Sequence, residues 1–180
     1  ERVRVATWNV NSVKQRVPRL LPWLDERRPD VVCLQETKLA DDAFTKLLGD
    51  ELAQRGYVVA VHGEPAWNGV AILARSEPLD VQHGIPNFPD DPKRLIAATV
   101  GDTRIVSVYA PNGQSLESEK YGYKLRWYEA LAAWMQEELT KRTRIALLGD
   151  FNVAPEDRDV HNPKRWEGGC LLYTSDAADD

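Results

Sequence analysis

The chain has 180 residues, of which 43% are hydrophobic and 28% are charged. That is enough for one domain with a substantial core, and too short to expect two. The longest apolar runs, at residues 31–34 and 145–148, fall far short of the roughly 20 residues that a membrane-spanning helix needs. A net charge of −5 argues against a uniformly basic surface, so any contact with nucleic acid must be local.

The start of the chain and its cysteines indicate where the protein works. Residues 1–7 lack the basic start and apolar stretch of a secretory signal, so we expect a cytoplasmic protein. The chain has two cysteines, Cys33 in an apolar run and Cys170 in a polar stretch. We therefore expect reduced thiols and no disulfide framework.

The apolar pattern predicts two strand-helix-strand units, one at residues 3–34 and one at residues 105–148. In the first, residues 3–8 predict a strand, residues 17–24 have helical spacing, and residues 31–34 form the continuous apolar run of a strand covered on both faces. The second unit joins a strand, a long helix and a strand, at residues 105–109, 121–141 and 145–148. Between the units the pattern predicts a helix and three strands, at residues 44–52, 57–61, 70–73 and 95–100.

The long predicted helix carries aromatic side chains that invite a second interpretation as a base-stacking platform. Trp127, Tyr128 and Trp134 follow the 3.6-residue spacing that also includes Leu125 and Leu139. Burial against a sheet is the commoner outcome at this spacing, so we assign the aromatic residues to the core.

Polar side chains follow the strands of both units. In the first unit these are Asn9, Asn11 and Glu36, with Gln35 before Glu36. In the second unit they are Tyr109, Asp150 and Asn152. The helical crossover makes the two strands of a unit parallel, so the groups of each unit should lie at one edge of a sheet.

These groups point to metal-assisted chemistry. Oxygen donors without a Cys/His cluster suit magnesium or manganese, with Glu36 as the best ligand and Asp150 nearby. Asp150 could orient or deprotonate an attacking water, and Tyr109 could hydrogen-bond a developing charge, as phosphodiester hydrolysis requires. Taken singly, Asn9, Asp150 and Asn152 are better explained as ordinary turn formers. The set together is hard to assign to turns, although spacing alone leaves the substrate open.

As motifs, these segments resemble the exonuclease III family of DNA-repair nucleases. The motifs occur in order at residues 7–12, 34–38, 108–113 and 149–152, with the sequences Thr-Trp-Asn-Val-Asn-Ser, Leu-Gln-Glu-Thr-Lys, Val-Tyr-Ala-Pro-Asn-Gly and Gly-Asp-Phe-Asn. The resemblance runs from about Arg2 to Trp166. Its Glu-Thr-Lys and Pro-Asn-Gly elements indicate the DNA-repair branch, whereas Gly-Asp-Phe-Asn alone would indicate only the broader superfamily.

The resemblance implies a deoxyribonuclease I-like fold of the α/β (α+β) class. This is a four-layer sandwich of two facing mixed β-sheets flanked by helices, in which both polar edges meet at one site. We expect a partial nuclease domain at residues 1–168 and a non-native or disordered tail at residues 169–180.

The resemblance also assigns roles to individual residues. Tyr109 and Asp150 are expected to be catalytic. The expected metal ligands, for Mg²⁺ with Mn²⁺ as a substitute, are Asn9, Glu36, Asp150 and Asn152. The expected substrate-binding residues are Asn11, Asn112, Lys120, Lys124 and Asn152. Arg94 is a further candidate for the DNA backbone, although Arg94 and both lysines are equally explained as solvated charges.

The implied activity is magnesium-dependent hydrolysis of double-stranded DNA by a monomer, as a 3′-to-5′ exonuclease and an abasic-site endonuclease. The family's late Asp and Asn, its abasic-pocket aromatic and its terminal Asp-His pair have no counterpart here, so we expect a C-terminally truncated member. None of His62, His83 and His161 occupies the position of the family's catalytic histidine. Two alternatives remain: an inactive fragment with residual DNA or metal binding, and a related phosphodiesterase acting on a non-DNA phosphate ester.

Overall fold

The computed structural model describes residues 2–112 and 119–152. The expected domain boundary at residue 168, the tail at residues 169–180 and His161 lie outside these ranges. The elements within them are β1 (Val5–Asn9), α1 (Val13–Arg27), β2 (Val31–Gln35), α2 (Asp41–Gln54), β3 (Val58–His62), β4 (Val70–Ala74), β5 (Leu79–His83), β6 (Leu95–Val100), β7 (Thr103–Tyr109), α3 (Glu119–Lys141) and β8 (Ile145–Asp150). Among the described residues, no helix is long and apolar enough to cross a membrane.

The strands form two mixed sheets. Sheet A has the order β1-β2-β4-β3 and sheet B the order β5-β6-β7-β8. The pairs β1-β2 and β7-β8 are parallel, and the other neighbouring strands are antiparallel. Both parallel pairs are joined through a helix, so the two predicted strand-helix-strand units are confirmed.

The side chains of the sheets alternate between two neighbouring layers, which explains the continuous apolar runs. In β2, Val32 and Leu34 pack with buried residues of α1 and α2, while Val31 and Cys33 face the core between the sheets. On the far side, β6 and β7 bury side chains against α3. The layers are therefore helices, sheet A, sheet B and helix, and the expected sandwich of two facing sheets flanked by helices is confirmed.

Two features of the elements differ from the sequence prediction. Strand β5 was missed because it is an edge strand with an irregular register, and its Leu79 and Val81 are exposed rather than alternately buried. Leu125 and Leu139 match the apolar spacing of α3 but are 46% and 66% exposed. Trp127 and Trp134 are buried as predicted, and Tyr128 is half-buried.

The parallel pairing of β7 and β8 depends on a glycine just before the polar edge. Gly149 has φ +151° and lies opposite Val108 in the register. A Cβ at this position would come within 1.9 Å of the Val108 carbonyl oxygen. Since that oxygen belongs to the backbone, no side-chain rotation can relieve the overlap, and Asp150 owes its place to this close approach.

We expect Gly149→Ala to destabilise the protein by at least about 3 kcal/mol, since it forces the paired strands apart. Gly101→Ala is the matched control because it also has a positive φ, but a Cβ there meets nothing within 4 Å. Backbone strain alone should lower the free energy of unfolding of Gly101→Ala by only about 1–2 kcal/mol. Urea unfolding measures both values, and equal losses would contradict the packing argument.

The outer strands of the two sheets meet through a pair of histidines. His62 ends β3 and His83 ends β5, and their ring centroids are 5.0 Å apart. Burial, followed by the charges of His83 and Lys93, lowers the pKa of His62 to about 4, while Asp41 acts in the opposite direction. The folded protein therefore keeps this imidazole neutral.

This shift predicts a loss of stability in acid. The unfolded chain protonates His62 near its ordinary pKa of about 6.5, and the folded chain only near 4. The contribution of His62 is therefore complete above pH 6.5 and is lost as pH falls towards 4. Between pH 7.5 and 4.5 the free energy of unfolding should fall by about 1–2 kcal/mol less in His62→Gln than in the unsubstituted protein, after allowance for solvent screening. Urea midpoints at pH 7.5 and 4.5 test this, and parallel losses in both proteins would refute it.

Candidate active site

The predicted polar groups lie at one edge of the sandwich. Asn9 and Gln35 are register partners at the ends of the parallel pair in sheet A, and Tyr109 and Asp150 are partners at the ends of the pair in sheet B. Because the sheets pack face to face, the two polar ends are adjacent.

A direct hydrogen bond joins the two ends. Asn9 Nδ2 donates to Asp150 Oδ2 at 2.9 Å. The other carboxylate oxygen, Oδ1, accepts from the backbone N–H of Asn152 at 3.0 Å. Asn9 is itself oriented, since its Oδ1 accepts from the backbone N–H of Asn11 at 3.0 Å. The two polar edges therefore form one site, with the Asp150 carboxylate fixed at both oxygens.

Glu36 and Tyr109 form the other part of the site. The Glu36 side chain is 18% exposed, and Lys38 Nζ lies 3.5 Å from its Oε2. Lys38 Nζ also donates to Asn11 Oδ1 at 2.6 Å. Burial, followed by a hydrogen bond with Glu36 and the charge of that carboxylate, raises the pKa of Tyr109 well above its ordinary value. The shift reinforces the protonated form, which an ordinary tyrosine also has at neutral pH, and the phenol can therefore serve as a hydrogen-bond donor.

The loops around the site hold several non-glycine residues in the left-handed region. These residues are Asn11, Ser12, Glu36, Lys38, Asn68 and Asn152. Backbone hydrogen bonds hold the loops together: Ser12 N donates to Glu36 O at 2.8 Å, and Lys38 N donates to Asn68 O at 2.9 Å. Such conformations cost of order 1–3 kcal/mol each and concentrate at functional sites. The rest of the fold therefore stabilises a strained edge that presents these side chains.

Sequence reasoning gave Gln35 no role, although it is central to the site's support. Gln35 is 1% exposed, and its Nε2 donates to Thr7 Oγ1 at 3.0 Å and to Ser107 Oγ at 3.3 Å. Ser107 Oγ donates in turn to Leu34 O at 3.3 Å. This buried network crosses from sheet A to sheet B immediately before Glu36. The sequence signal was an amide that ends an otherwise apolar strand.

The three basic candidates for DNA contact lie in different environments in the structure. The Arg94 guanidinium lies over the rings of Tyr109 and Tyr123, 5.2 and 5.8 Å from their centroids. It thus packs against the predicted catalytic tyrosine. Lys124 is 6% exposed, and its Nζ donates to Asn152 O at 3.0 Å. Lys120, by contrast, is exposed.

Of the remaining predicted substrate residues, Asn152 contacts the Asp150 carboxylate, whereas Asn112 and Asn11 lie in the segments that follow β7 and β1. Asn152 Nδ2 donates to Ala110 O at 2.7 Å, which joins the segments that follow β7 and β8. Asn112 is exposed two residues beyond Ala110. Asn11 is exposed as well and is held by Lys38. Accessible amides therefore flank the site on both sides.

The donor set fits a hard divalent cation. Glu36 and Asp150 supply carboxylates and Asn9 supplies an amide oxygen, and magnesium commonly takes only one or two carboxylates from the protein. Within residues 2–112 and 119–152 there is no group of three or more His, Cys, Asp or Glu side chains that could hold a metal. Carboxylate and amide oxygens are donors that a hard divalent cation accepts.

Comparison with known proteins identifies the family. The profile described as the endonuclease/exonuclease/phosphatase family matches residues 6–176. Exodeoxyribonuclease III of Haemophilus influenzae is 33% identical over 98% of this chain and 69% of its own length. A 3′ phosphatase from Neisseria, solved with a product DNA hairpin, is 40% identical with a TM-score of 0.87 over 95% of this chain and 66% of its own. An AP endonuclease from Archaeoglobus fulgidus is 38% identical with a TM-score of 0.86, over 98% of this chain and 67% of its own.

The two solved relatives share the fold of this chain, with TM-scores of 0.87 and 0.86. This chain spans about two thirds of the length of each of the three. The resemblance expected from the four motifs is confirmed, and with it an enzyme of the nuclease type. The chain belongs to the endonuclease/exonuclease/phosphatase family, and within it to the exodeoxyribonuclease III group.

Proposed function

We propose that this chain carries the catalytic site of a magnesium-dependent DNA-repair nuclease, a 3′-to-5′ exonuclease and abasic-site endonuclease that acts as a cytoplasmic monomer. The observation that carries the proposal is the 2.9 Å hydrogen bond between Asn9 and Asp150. It unites an amide and a carboxylate from opposite sheets beside a second carboxylate and a phenol, the groups that phosphodiester hydrolysis needs.

Glu36 and Asn9 are the residues that would hold the cation, with Asp150 and Asn152 beside them. A bound Mg²⁺ would supply Lewis-acid stabilisation of a phosphoryl oxygen, and Mn²⁺ could replace it because it prefers the same oxygen donors. Lys38, 3.5 Å from Glu36 Oε2, orients that carboxylate.

Asp150 is the group that prepares the nucleophile. Hydrogen bonds from Asn9 and from the Asn152 backbone fix both of its oxygens. A carboxylate held in this way can orient a water molecule and accept its proton as the water attacks phosphorus. The bond from phosphorus to the ester oxygen then breaks, and the leaving alkoxide takes a proton from solvent. Orientation is the main contribution, since a fixed acceptor loses little conformational freedom during the reaction.

Tyr109 and the neighbouring amides act on the phosphate. The Tyr109 phenol is protonated at neutral pH, as an ordinary tyrosine is, and can donate to a phosphoryl oxygen as negative charge develops. Asn152 is positioned to bind phosphate or water, and Asn112 and Asn11 extend the contacts along the backbone. Lys120 adds a local positive charge, which suits a chain whose overall charge is −5.

The relatives support DNA as the substrate. One is named as an exodeoxyribonuclease, one as an AP endonuclease, and one was solved with a DNA hairpin. None of these names points to a non-DNA phosphate ester. The choice between abasic sites and 3′ ends is part of the proposal, and the inactive-fragment alternative is an outcome of the experiments below.

Removal of the metal or of its main ligand should abolish cleavage. We expect the protein to cut a duplex with one abasic site in Mg²⁺, and to lose at least about 1,000-fold in rate with chelator or with Glu36→Gln, since both remove transition-state stabilisation. Gel assays under single-turnover conditions measure the rates, with parallel substrates carrying a recessed 3′ hydroxyl or a 3′ phosphate.

The control for this experiment is Glu51→Gln, an exposed carboxylate on α2 that should leave the rate unchanged. Cleavage that survives both chelator and Glu36→Gln would refute the metal site. If the unsubstituted chain binds DNA but cuts none of the three substrates, the inactive-fragment alternative is correct.

Asp150→Asn should slow the chemical step and leave DNA binding nearly unchanged. The amide keeps the size of the carboxylate but accepts no proton, and general-base groups typically contribute 10²–10⁴-fold, so we expect a fall of about that size. Rapid-quench kinetics gives the rate, and fluorescence anisotropy gives the affinity for DNA. Asp102→Asn, at an exposed turn, is the matched control. A loss confined to affinity would contradict the assigned role.

A further inference from the structure

Helix α3 buries one stripe of side chains against sheet B, and that stripe begins and ends on a charged residue. Its buried members are Lys124, Trp127, Leu131, Trp134 and Glu138. Spacings of three and four residues place all of them on one face of the helix. Lys124 is 6% exposed and Glu138 is 7% exposed, so both charges lie where an apolar side chain would ordinarily pack.

The charge at the far end of the stripe is neutralised locally. Glu138 Oε2 pairs with Arg142 Nε at 2.6 Å, one turn further along the helix. Arg142 Nη1 also donates to Thr99 Oγ1 at 3.1 Å. This arrangement compensates the burial of a carboxylate and contacts no part of the catalytic edge.

The charge at the near end is directed at the catalytic edge. Lys124 Nζ donates to the backbone carbonyl of Asn152 at 3.0 Å. Tyr128, one helical turn after Lys124, donates its hydroxyl hydrogen to the carbonyl of Phe151, the residue before Asn152. Two neighbouring side chains of α3 thus hold two consecutive carbonyls just after β8.

The held segment orients the reacting groups. Asn152 has φ +49°, a conformation that the surrounding contacts must maintain. Its backbone N–H donates to Asp150 Oδ1, and its side chain donates to Ala110 O. A shift of the Asn152 backbone would therefore move the Asp150 carboxylate and the loop that follows Tyr109 together.

We infer that Lys124 is a positioning residue for the catalytic edge, with Tyr128 as its partner, and that it is not a contact to the DNA backbone. It acts through Asn152: its buried ammonium fixes the Asn152 carbonyl, and the Asn152 N–H fixes Asp150. Burial of an ammonium is costly unless it is hydrogen-bonded, and the Asn152 carbonyl is an acceptor that Lys124 reaches at 3.0 Å. The inference rests on the proposed function for its kinetic consequences.

Salt dependence of DNA binding separates the two roles of a lysine. A lysine that contacts a phosphate releases a counterion, so its removal lowers the slope of log affinity against log salt by about 1. A positioning residue leaves that slope unchanged and lowers the rate of the chemical step. Lys120→Met provides the comparison, because Lys120 is exposed one turn earlier on the same helix.

The test compares Lys124→Met, Lys124→Arg, Tyr128→Phe, Lys120→Met and Glu138→Gln in the full chain. Glu138→Gln is the matched control for stability, since it perturbs an equally buried charge at the other end of the stripe. Single-turnover cleavage, anisotropy against salt and amide hydrogen exchange at Ala110 and Asn152 are measured below the melting temperature of every variant. We expect Lys124→Met to lower the cleavage rate 10- to 100-fold and to raise exchange at both amides at least tenfold.

The salt dependence and the comparison variants give further expected results. The salt slope of Lys124→Met should equal that of the unsubstituted protein, Lys124→Arg should recover part of the rate, and Tyr128→Phe should show a smaller loss of the same kind. Glu138→Gln should keep its cleavage rate. Unchanged exchange in Lys124→Met, or a slope that falls by about 1, would overturn the inference. If the unsubstituted chain does not cut DNA, the proposed function fails, and exchange alone decides the inference.

Discussion

The hydrogen bond between the side chains of Asn9 and Asp150 links the ends of β1 and β8, 141 positions apart in the sequence. It forms only if two parallel strand pairs, in different sheets, end at the same height and face one another. The core between the sheets fixes their separation, and the buried amide of Gln35 connects them just below the site. The alignment of the sheets therefore places Glu36, next to Gln35, on the same edge as Tyr109 and Asp150.

Both apolar packing and polar hydrogen bonds stabilise the contact between the two sheets. Apolar side chains between the sheets supply non-directional stabilisation. The Gln35 network and the Asn9–Asp150 bond are directional, and a shift would leave buried polar atoms without partners. The directional contacts therefore define one alignment of the sheets, and that alignment can hold strained loops that a looser core could not.

The sequence predicted much of this because its signals are local. Continuous apolar runs identified β2 and β8, helical crossovers implied parallel pairing, and polar residues after those strands marked the site. Strand β5 was missed because an exposed edge strand has no buried face to generate alternation. Leu125 and Leu139 matched the spacing of α3, but periodicity does not show where the buried face ends.

The roles of charged side chains were harder to predict, because they depend on partners distant in sequence. In the sequence Lys124 has the pattern of a surface lysine, but in the structure it is hydrogen-bonded to the segment after β8. Arg94 has the pattern of a DNA contact, but in the structure it packs against the Tyr109 ring. Gln35 was recognised as polar, but its partners Thr7 and Ser107 lie 28 and 72 residues away. Tertiary packing decides whether such groups are solvated, paired or buried, and single-sequence patterns contain little of that information.

The most direct test of a site assembled from both sheets is a double-mutant cycle on the free energy of unfolding with Asn9→Ala, Asp150→Ala and both together. It needs neither metal nor DNA, so it examines the assembly separately from the activity. A hydrogen bond to a carboxylate should give a coupling energy of about 1.5–3 kcal/mol at pH 7. Additive losses, within about 0.5 kcal/mol, would show that the two edges do not hold one another and would contradict the account.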